Sequence, residues 1–161
     1  EVLFIDTSPF QTDYYTNDDY GPKVSTQDTG AQKTWLTNAL QKSTATWKFV
    51  VGHHTLYTAG KRIGKTQDMI NAFQDIFEKY HVDAYFCGHE HQLEYDEPSG
   101  MHFHQIISGT GSEATPVTSA PYAKFVASDH GFVSVNVTEK EMLVQFINAD
   151  GKILYSVTIE K

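Results

Sequence analysis

Apolar runs and helical periodicities alternate over the first half of the chain. The short apolar runs at residues 2–6, 48–52 and 82–87 are predicted as buried strands, because runs of this length between polar segments are typical of strands covered on both faces. Between them, apolar residues recur at helical spacing over residues 30–43 and 66–80. Strand, helix, strand, helix, strand is the pattern of a parallel sheet covered by helices, so an α/β fold is predicted.

The second half of the chain has a different pattern, in which strand-like segments follow one another without helices. These segments are residues 103–108, 132–138, 142–148 and 153–160. Asp150-Gly151 is a two-residue hairpin signal between the last two, so the chain is predicted to end in an antiparallel meander. Residues 7–29 and 109–131 are polar or rich in Gly, Ser, Thr and Pro, and both are predicted as loops.

Composition excludes several classes of protein. A chain of 161 residues is long enough to bury a core. Its 12 Lys and Arg against 20 Asp and Glu give a net charge of −8, so no nucleic acid partner is expected. No apolar run approaches the roughly 20 residues of a membrane helix, so no membrane partner is expected either. The single cysteine, Cys87, excludes an intrachain disulfide and a Cys-rich zinc site.

Histidine is the informative excess, and it is concentrated after two of the predicted strands. Gly52-His53-His54 follows the second strand and Gly88-His89-Glu90-His91 follows the third. The carboxyl ends of neighbouring parallel strands meet at one edge of a sheet, where ligands of open α/β sheets bind. Imidazole is a common ligand of zinc and iron. Histidines spaced i, i+2 on an extended loop can point to different sides, so His89 and His91 could serve two different ions.

Residues next to these histidines have more than one interpretation. His54 could touch a bound phosphate, orient a metal ligand, or simply be a surface histidine. Lys61 and Arg62 could hold phosphate, or be a solvated pair of loop charges. Glu90 is expected to face solvent, and Cys87 is expected to pack as a small apolar residue.

The ordered set of motifs resembles a known family. Gly52-His53 and Gly88-His89-Glu90-His91 resemble the C-terminal motif pair of the metallophosphoesterases, and more specifically of the purple acid phosphatases of the tartrate-resistant type. The segments 4–10 and 108–111 resemble the flanking parts of that family, so the resemblance runs from about residue 2 to the C-terminus. It implies the C-terminal half of a metallophosphoesterase-type two-sheet β-sandwich, flanked by helices and ending in an antiparallel meander.

The same resemblance implies a site and an activity. The family hydrolyses phosphate monoesters at a binuclear metal centre, with iron paired with iron, zinc or manganese, and it is typically secreted, periplasmic or lysosomal. By the resemblance, His53 and His89 would be ligands of the second metal ion and His91 of the first. His54 is the candidate catalytic residue, and Arg62 is the candidate substrate-binding residue.

The family motifs that supply the other metal ligands do not occur in this sequence. Gly-Asp-x-x-Tyr, with the bridging Asp, and Gly-Asn-His both lack a match. Residues 1–161 are therefore expected to be the C-terminal part of a single metallophosphoesterase (calcineurin-like) domain, with the absent N-terminal half as its partner. The oligomeric state is left open. One alternative is an inactive fragment or an interaction module. Another is a cupin-like single-metal enzyme, suggested by His89, His91 and the following Glu94 but in need of strands on both sides of the pair.

Overall fold

Two β-sheets and three α-helices form the chain, and the computed structural model describes all of its residues, Glu1–Lys161. The strands are β1 (Val2–Phe4), β2 (Phe49–Val51), β3 (Ala84–Cys87), β4 (Leu93–Asp96), β5 (His104–Ser108), β6 (Ala123–Ala127), β7 (Gly131–Val137), β8 (Glu141–Asn148) and β9 (Ile153–Glu160). The helices are α1 (Gly21–Val24), α2 (Thr29–Lys42) and α3 (Gln67–Lys79), and two 3₁₀ turns lie at Ser8–Phe10 and Thr12–Thr16. None of the helices combines the length and the apolar composition that a membrane span requires.

The larger sheet has six strands in the order β1-β2-β3-β5-β4-β6. Its first four strands are parallel neighbours, whereas β4 is antiparallel to both β5 and β6. The predicted parallel sheet is therefore confirmed. Val51 of β2 lies opposite Phe86 of β3, which brings the carboxyl ends of these two strands side by side.

The smaller sheet is the predicted meander β7-β8-β9. Gly151 in its second turn has a φ of 81°, which a glycine adopts without strain. The two sheets pack face to face around a buried cluster that includes Trp47, Tyr95 and Phe146. This packing gives the two-sheet sandwich that the family resemblance implied.

Helices α2 and α3 cover the other face of the larger sheet. The stripe Met69, Phe73 and Phe77 of α3 is buried against this face, as its spacing predicted. Successive residues of a strand point to opposite sides, so Tyr85 faces the helices while Ala84 faces the smaller sheet. The α/β fold class is thus confirmed as three layers: helices, a mixed sheet, and an antiparallel sheet.

Three segments differ from their predicted structure. The predicted loop at residues 7–29 contains both 3₁₀ turns and α1, and the predicted loop at 109–131 contains β6. Strand β4 was not predicted at all. All four of its residues are buried, including Glu94 and Asp96. Charged residues rarely lie in a sheet interior, and for that reason the pattern of this segment did not indicate a strand.

Candidate metal centre

Both histidine motifs lie at the carboxyl ends of adjacent strands. The backbone N–H of Gly52 donates to the carbonyl of Phe86 at 3.0 Å, and that of Gly88 donates to the carbonyl of His53 at 3.1 Å. These bonds continue the pairing of β2 and β3 beyond the strands. The two loops therefore leave the sheet in contact with each other, as the topology predicted.

The side chains of His53 and His89 lie next to each other where these two loops leave the sheet. The Nε2 atom of His53 lies 3.0 Å from the Nδ1 atom of His89, and the two rings meet nearly edge to face. One ligand atom from each of His53, His54 and His89 can be chosen so that all three lie within 4.8 Å of one another. The backbone of His89 has a φ of 63°, an uncommon conformation for a residue with a side chain. Backbone strain of this kind is concentrated at functional sites.

The rings of His53 and His89 have the protonation state that metal binding requires, and the distance between their nitrogens suits a shared ion. Partial desolvation lowers the pKa of His53, and the Arg62 guanidinium adds to this effect. Burial, with Arg62 next in effect, lowers the pKa of His89 to about 4. Both rings are therefore neutral at ordinary pH, which is the form that binds metals. Two nitrogens at about 2.0–2.1 Å from one ion would be about 3 Å apart, as these two are.

His54 is the buried member of the group, and both of its ring nitrogens have a hydroxyl partner. Its Nδ1 lies 2.7 Å from the Oγ1 of Thr7, and its Nε2 lies 2.8 Å from the hydroxyl of Tyr14. The hydroxyl of Tyr85 donates to the His54 carbonyl at 2.7 Å. Burial, with the nearby His89 next in effect, lowers the pKa of His54 to about 3. The ring is therefore neutral and held in one orientation.

His91 lies in the same depression but outside the three-histidine group. Its Nδ1 is 3.0 Å from the Oε2 of Glu113. Its carbonyl accepts from the backbone N–H of Thr115 at 2.9 Å. His53, His89 and His91 line one small depression together with Arg62, so all three predicted ligands share a single opening.

A cleft of about 350 Å³ adjoins this depression. His54 and His89 lie on its wall, and the cations Lys61, Arg62 and Lys65 line it as well. The side chain of Arg62 is 41% exposed in this cleft and bonds to Glu90. Because the cleft presents cationic side chains next to histidines, it can accept an anion beside a metal site.

Glu90 differs from its predicted position. It was expected to face solvent, and that expectation is wrong: its carboxylate is fully buried and pairs with Arg62. Nothing in the sequence indicated that Tyr14 or Glu113 belongs to the site, because both lie in segments that were predicted as loops. A signal for Thr7 did exist, since residue 7 follows β1 at the same edge of the sheet as the two histidine motifs.

With this geometry in place, comparison with known proteins identifies the class. The sequence pattern of the calcineurin-like phosphoesterases matches residues 5–93. The chain belongs to the calcineurin-like phosphoesterase family. Strands β3 and β4 do lie on both sides of the pair His89 and His91, as the cupin-like alternative requires. The family membership and the parallel pairing of β3 with both of its neighbours argue against that alternative.

Within the family, the chain is similar to purple acid phosphatases. It is 33% identical over 175 residues to purple acid phosphatase 17 of Arabidopsis thaliana, covering 100% of this chain and 51% of that protein. It is 31% identical over 141 residues to tartrate-resistant acid phosphatase type 5 of Oryctolagus cuniculus, covering 81% of this chain and 42% of that protein. These relatives confirm the predicted resemblance.

A solved structure agrees on the fold. Purple acid phosphatase PPD1 from yellow lupin seeds superposes with a TM-score of 0.69 at 18% identity, over 80% of this chain and 28% of that one. The chain spans about half the length of the curated relatives it matches.

Proposed function

We propose that this chain supplies the histidine ligands of a binuclear metal centre that hydrolyses phosphate monoesters. The observation that carries the proposal is the 3.0 Å approach of His53 and His89 at the carboxyl ends of β2 and β3, with His91 in the same depression. Membership of the phosphoesterase family and similarity to purple acid phosphatases support it.

In this proposal the three histidines serve two ions. His53 and His89 hold one ion, and His91, whose ring lies outside their group, is a ligand of the other. The resemblance to purple acid phosphatases favours iron with iron, zinc or manganese. When bound, the ions would supply Lewis-acid polarisation of the phosphate ester and stabilise the charge that develops on it.

Two further residues act beside the histidines. Arg62 binds the substrate phosphate, because its guanidinium reaches the cleft next to His89 and carries donors that match phosphate oxygens. His54 is the predicted catalytic residue, and the hydroxyls of Thr7 and Tyr14 hold its ring in place. This fixed orientation suits His54 to positioning the adjacent ligand His53 better than to moving a proton.

The remaining ligands belong, in this proposal, to an N-terminal part of the same fold, with residues 1–161 as its C-terminal part. Strand β1 pairs only with β2, so its other edge has no partner strand in this chain. Val2 and Phe4 are 50% and 71% exposed on the face of β1 that points away from the helices. Because the smaller sheet does not cover this face, a further part of the sandwich would bury both side chains.

The test is hydrolysis of 4-nitrophenyl phosphate by the full-length protein. His91→Ala is expected to abolish activity, because one ion loses its ligand. The matched control is His102→Ala, which removes an exposed histidine at the opposite end of β5 and is expected to keep full activity. Full activity of a folded His91→Ala variant would overturn the assignment. A wild-type protein that binds neither metal nor phosphate would favour the inactive-fragment alternative.

A further inference from the structure

Glu90 lies between the two proposed ligands His89 and His91, yet its side chain points into the protein. The side chain is 0% exposed. A buried carboxylate is costly unless it is paired and accepts hydrogen bonds. The structure therefore has to provide partners for Glu90, and the identity of those partners indicates what the carboxylate does.

Both partners belong to one residue of the cleft. The Nη1 atom of Arg62 donates to Oε1 of Glu90 at 2.6 Å, and the backbone N–H of Arg62 donates to Oε2 at 3.2 Å. One carboxylate thus fixes the guanidinium and the backbone of the same residue. Because the remaining guanidinium donors make no hydrogen bond within the chain and the side chain is 41% exposed, they are available to an anion in the cleft.

Two glycines make room for this arrangement. A Cβ atom at Gly60 would lie 2.4 Å from Oε2 of Glu90, and one at Gly109 would lie 1.9 Å from its carbonyl oxygen. Neither distance is tolerated by real atoms, so the loop at residues 55–62 can approach Glu90 only because residue 60 lacks a side chain. The surroundings of Glu90 are thus fitted closely to its side chain and to its backbone.

The backbone of Glu90 also takes part in the turn that carries His89. Its N–H donates to the carbonyl of Gly88 at 2.7 Å, and its own carbonyl accepts from the N–H of Gln92 at 2.9 Å. The same residue therefore connects the turn of the metal ligands to the loop that carries Arg62.

We propose that Glu90 is a positioning residue that aims the Arg62 guanidinium at a phosphate group bound beside His53 and His89. This inference rests on the proposed function and deepens it. The carboxylate holds Arg62 in place before the anion arrives, so less side-chain freedom is lost on binding. Its charge also balances that of Arg62 when the cleft is empty.

The test is a double-mutant cycle in the full-length protein with Glu90→Gln and Arg62→Ala, measured as the inhibition constant of inorganic phosphate and as KM and kcat for 4-nitrophenyl phosphate. Each single variant is expected to weaken phosphate binding and raise KM by about tenfold, with metal content unchanged. The double variant is expected to be no worse than Arg62→Ala alone, because Glu90 acts only through Arg62. The control is Glu139→Gln, an exposed carboxylate in the turn before β8.

Independent, multiplicative effects of the two substitutions would overturn the proposal, because a general structural role of Glu90 gives that result. Glu90→Asp covers the case in which Glu90→Gln fails to fold, because it keeps the buried charge beside Arg62. Its shorter side chain draws the carboxylate away from the guanidinium, so it should weaken phosphate binding in the same direction as Glu90→Gln, and wild-type binding would sink the idea. If the wild type binds no phosphate, the proposed function fails. The positioning role of Glu90 is then decided by the NMR signals of isotope-labelled Arg62. If Glu90 holds the guanidinium, the Arg62 side chain becomes more mobile in Glu90→Gln than in the wild type.

Discussion

The hydroxyl of Tyr85 connects the interior of the sheet to the backbone of His54 in the metal-binding loop. Tyr85 is fully buried on β3, and its hydroxyl donates at 2.7 Å to the carbonyl of His54, which has no other hydrogen bond. Tyr85→Phe removes this donor and leaves the ring in place. The His54 carbonyl then stays buried without a partner, which costs about 1–3 kcal/mol.

This cost predicts a measurable loss of thermal stability. For a chain of this length, 1 kcal/mol lowers the melting temperature by about 2–4 °C, so Tyr85→Phe should melt about 4–8 °C below the wild type for a loss of about 2 kcal/mol. Calorimetry on the metal-free protein measures this value without a contribution from bound ions. The matched control is Tyr155→Phe, which removes the hydroxyl of a half-buried tyrosine that makes no hydrogen bond. Equal melting temperatures for the two variants would refute the reasoning.

Three further predictions concern the stability of the fold. Burial, with the charge of Glu94 next in effect, raises the pKa of the Asp96 carboxyl well above its usual 3.8. The stability that the neutral Asp96 carboxyl contributes is therefore fully present below pH 3.8 and is lost as pH rises through its folded-state pKa. Asp96→Asn should therefore lose less stability than the wild type between pH 5 and pH 8 in thermal melts, and parallel pH profiles would contradict this. Gly109→Ala should destabilise by about 1–3 kcal/mol because its Cβ meets the Glu90 carbonyl, while Gly111→Ala, whose Cβ meets nothing, should melt like the wild type. Asp28→Ala should lower the urea midpoint by an amount equivalent to about 1 kcal/mol, because the Asp28 side chain caps α2, and an unchanged midpoint would count against that cap.

The parallel part of the fold could be predicted because its strands and helices are each indicated by a local sequence pattern. Apolar runs define β1, β2 and β3, helical spacing defines α2 and α3, and chain connectivity then places the strand ends together. Strand β4 could not be predicted in the same way. Glu94 accepts from the backbone N–H of Ala59 at 2.7 Å, a partner 35 residues away that no local pattern reveals.

The same limit applies to the candidate site. The approach of His53 and His89 follows from strand order, which sequence periodicity indicates. The environment of His54 follows only in part: Thr7 comes after β1 at the same edge of the sheet, whereas Tyr14 lies in a segment that was predicted as a loop. The burial of Glu90 likewise depends on a loop whose path is set by tertiary contacts rather than by its own composition.

The most direct test of the account is the metal content of the full-length protein, measured by elemental emission for the wild type and for a variant in which His53, His89 and His91 are all replaced by Ala. We expect two ions per wild-type molecule and a loss of bound metal in the triple variant, with the fold retained by circular dichroism. Full metal content in the triple variant would contradict the claim that these histidines hold the ions.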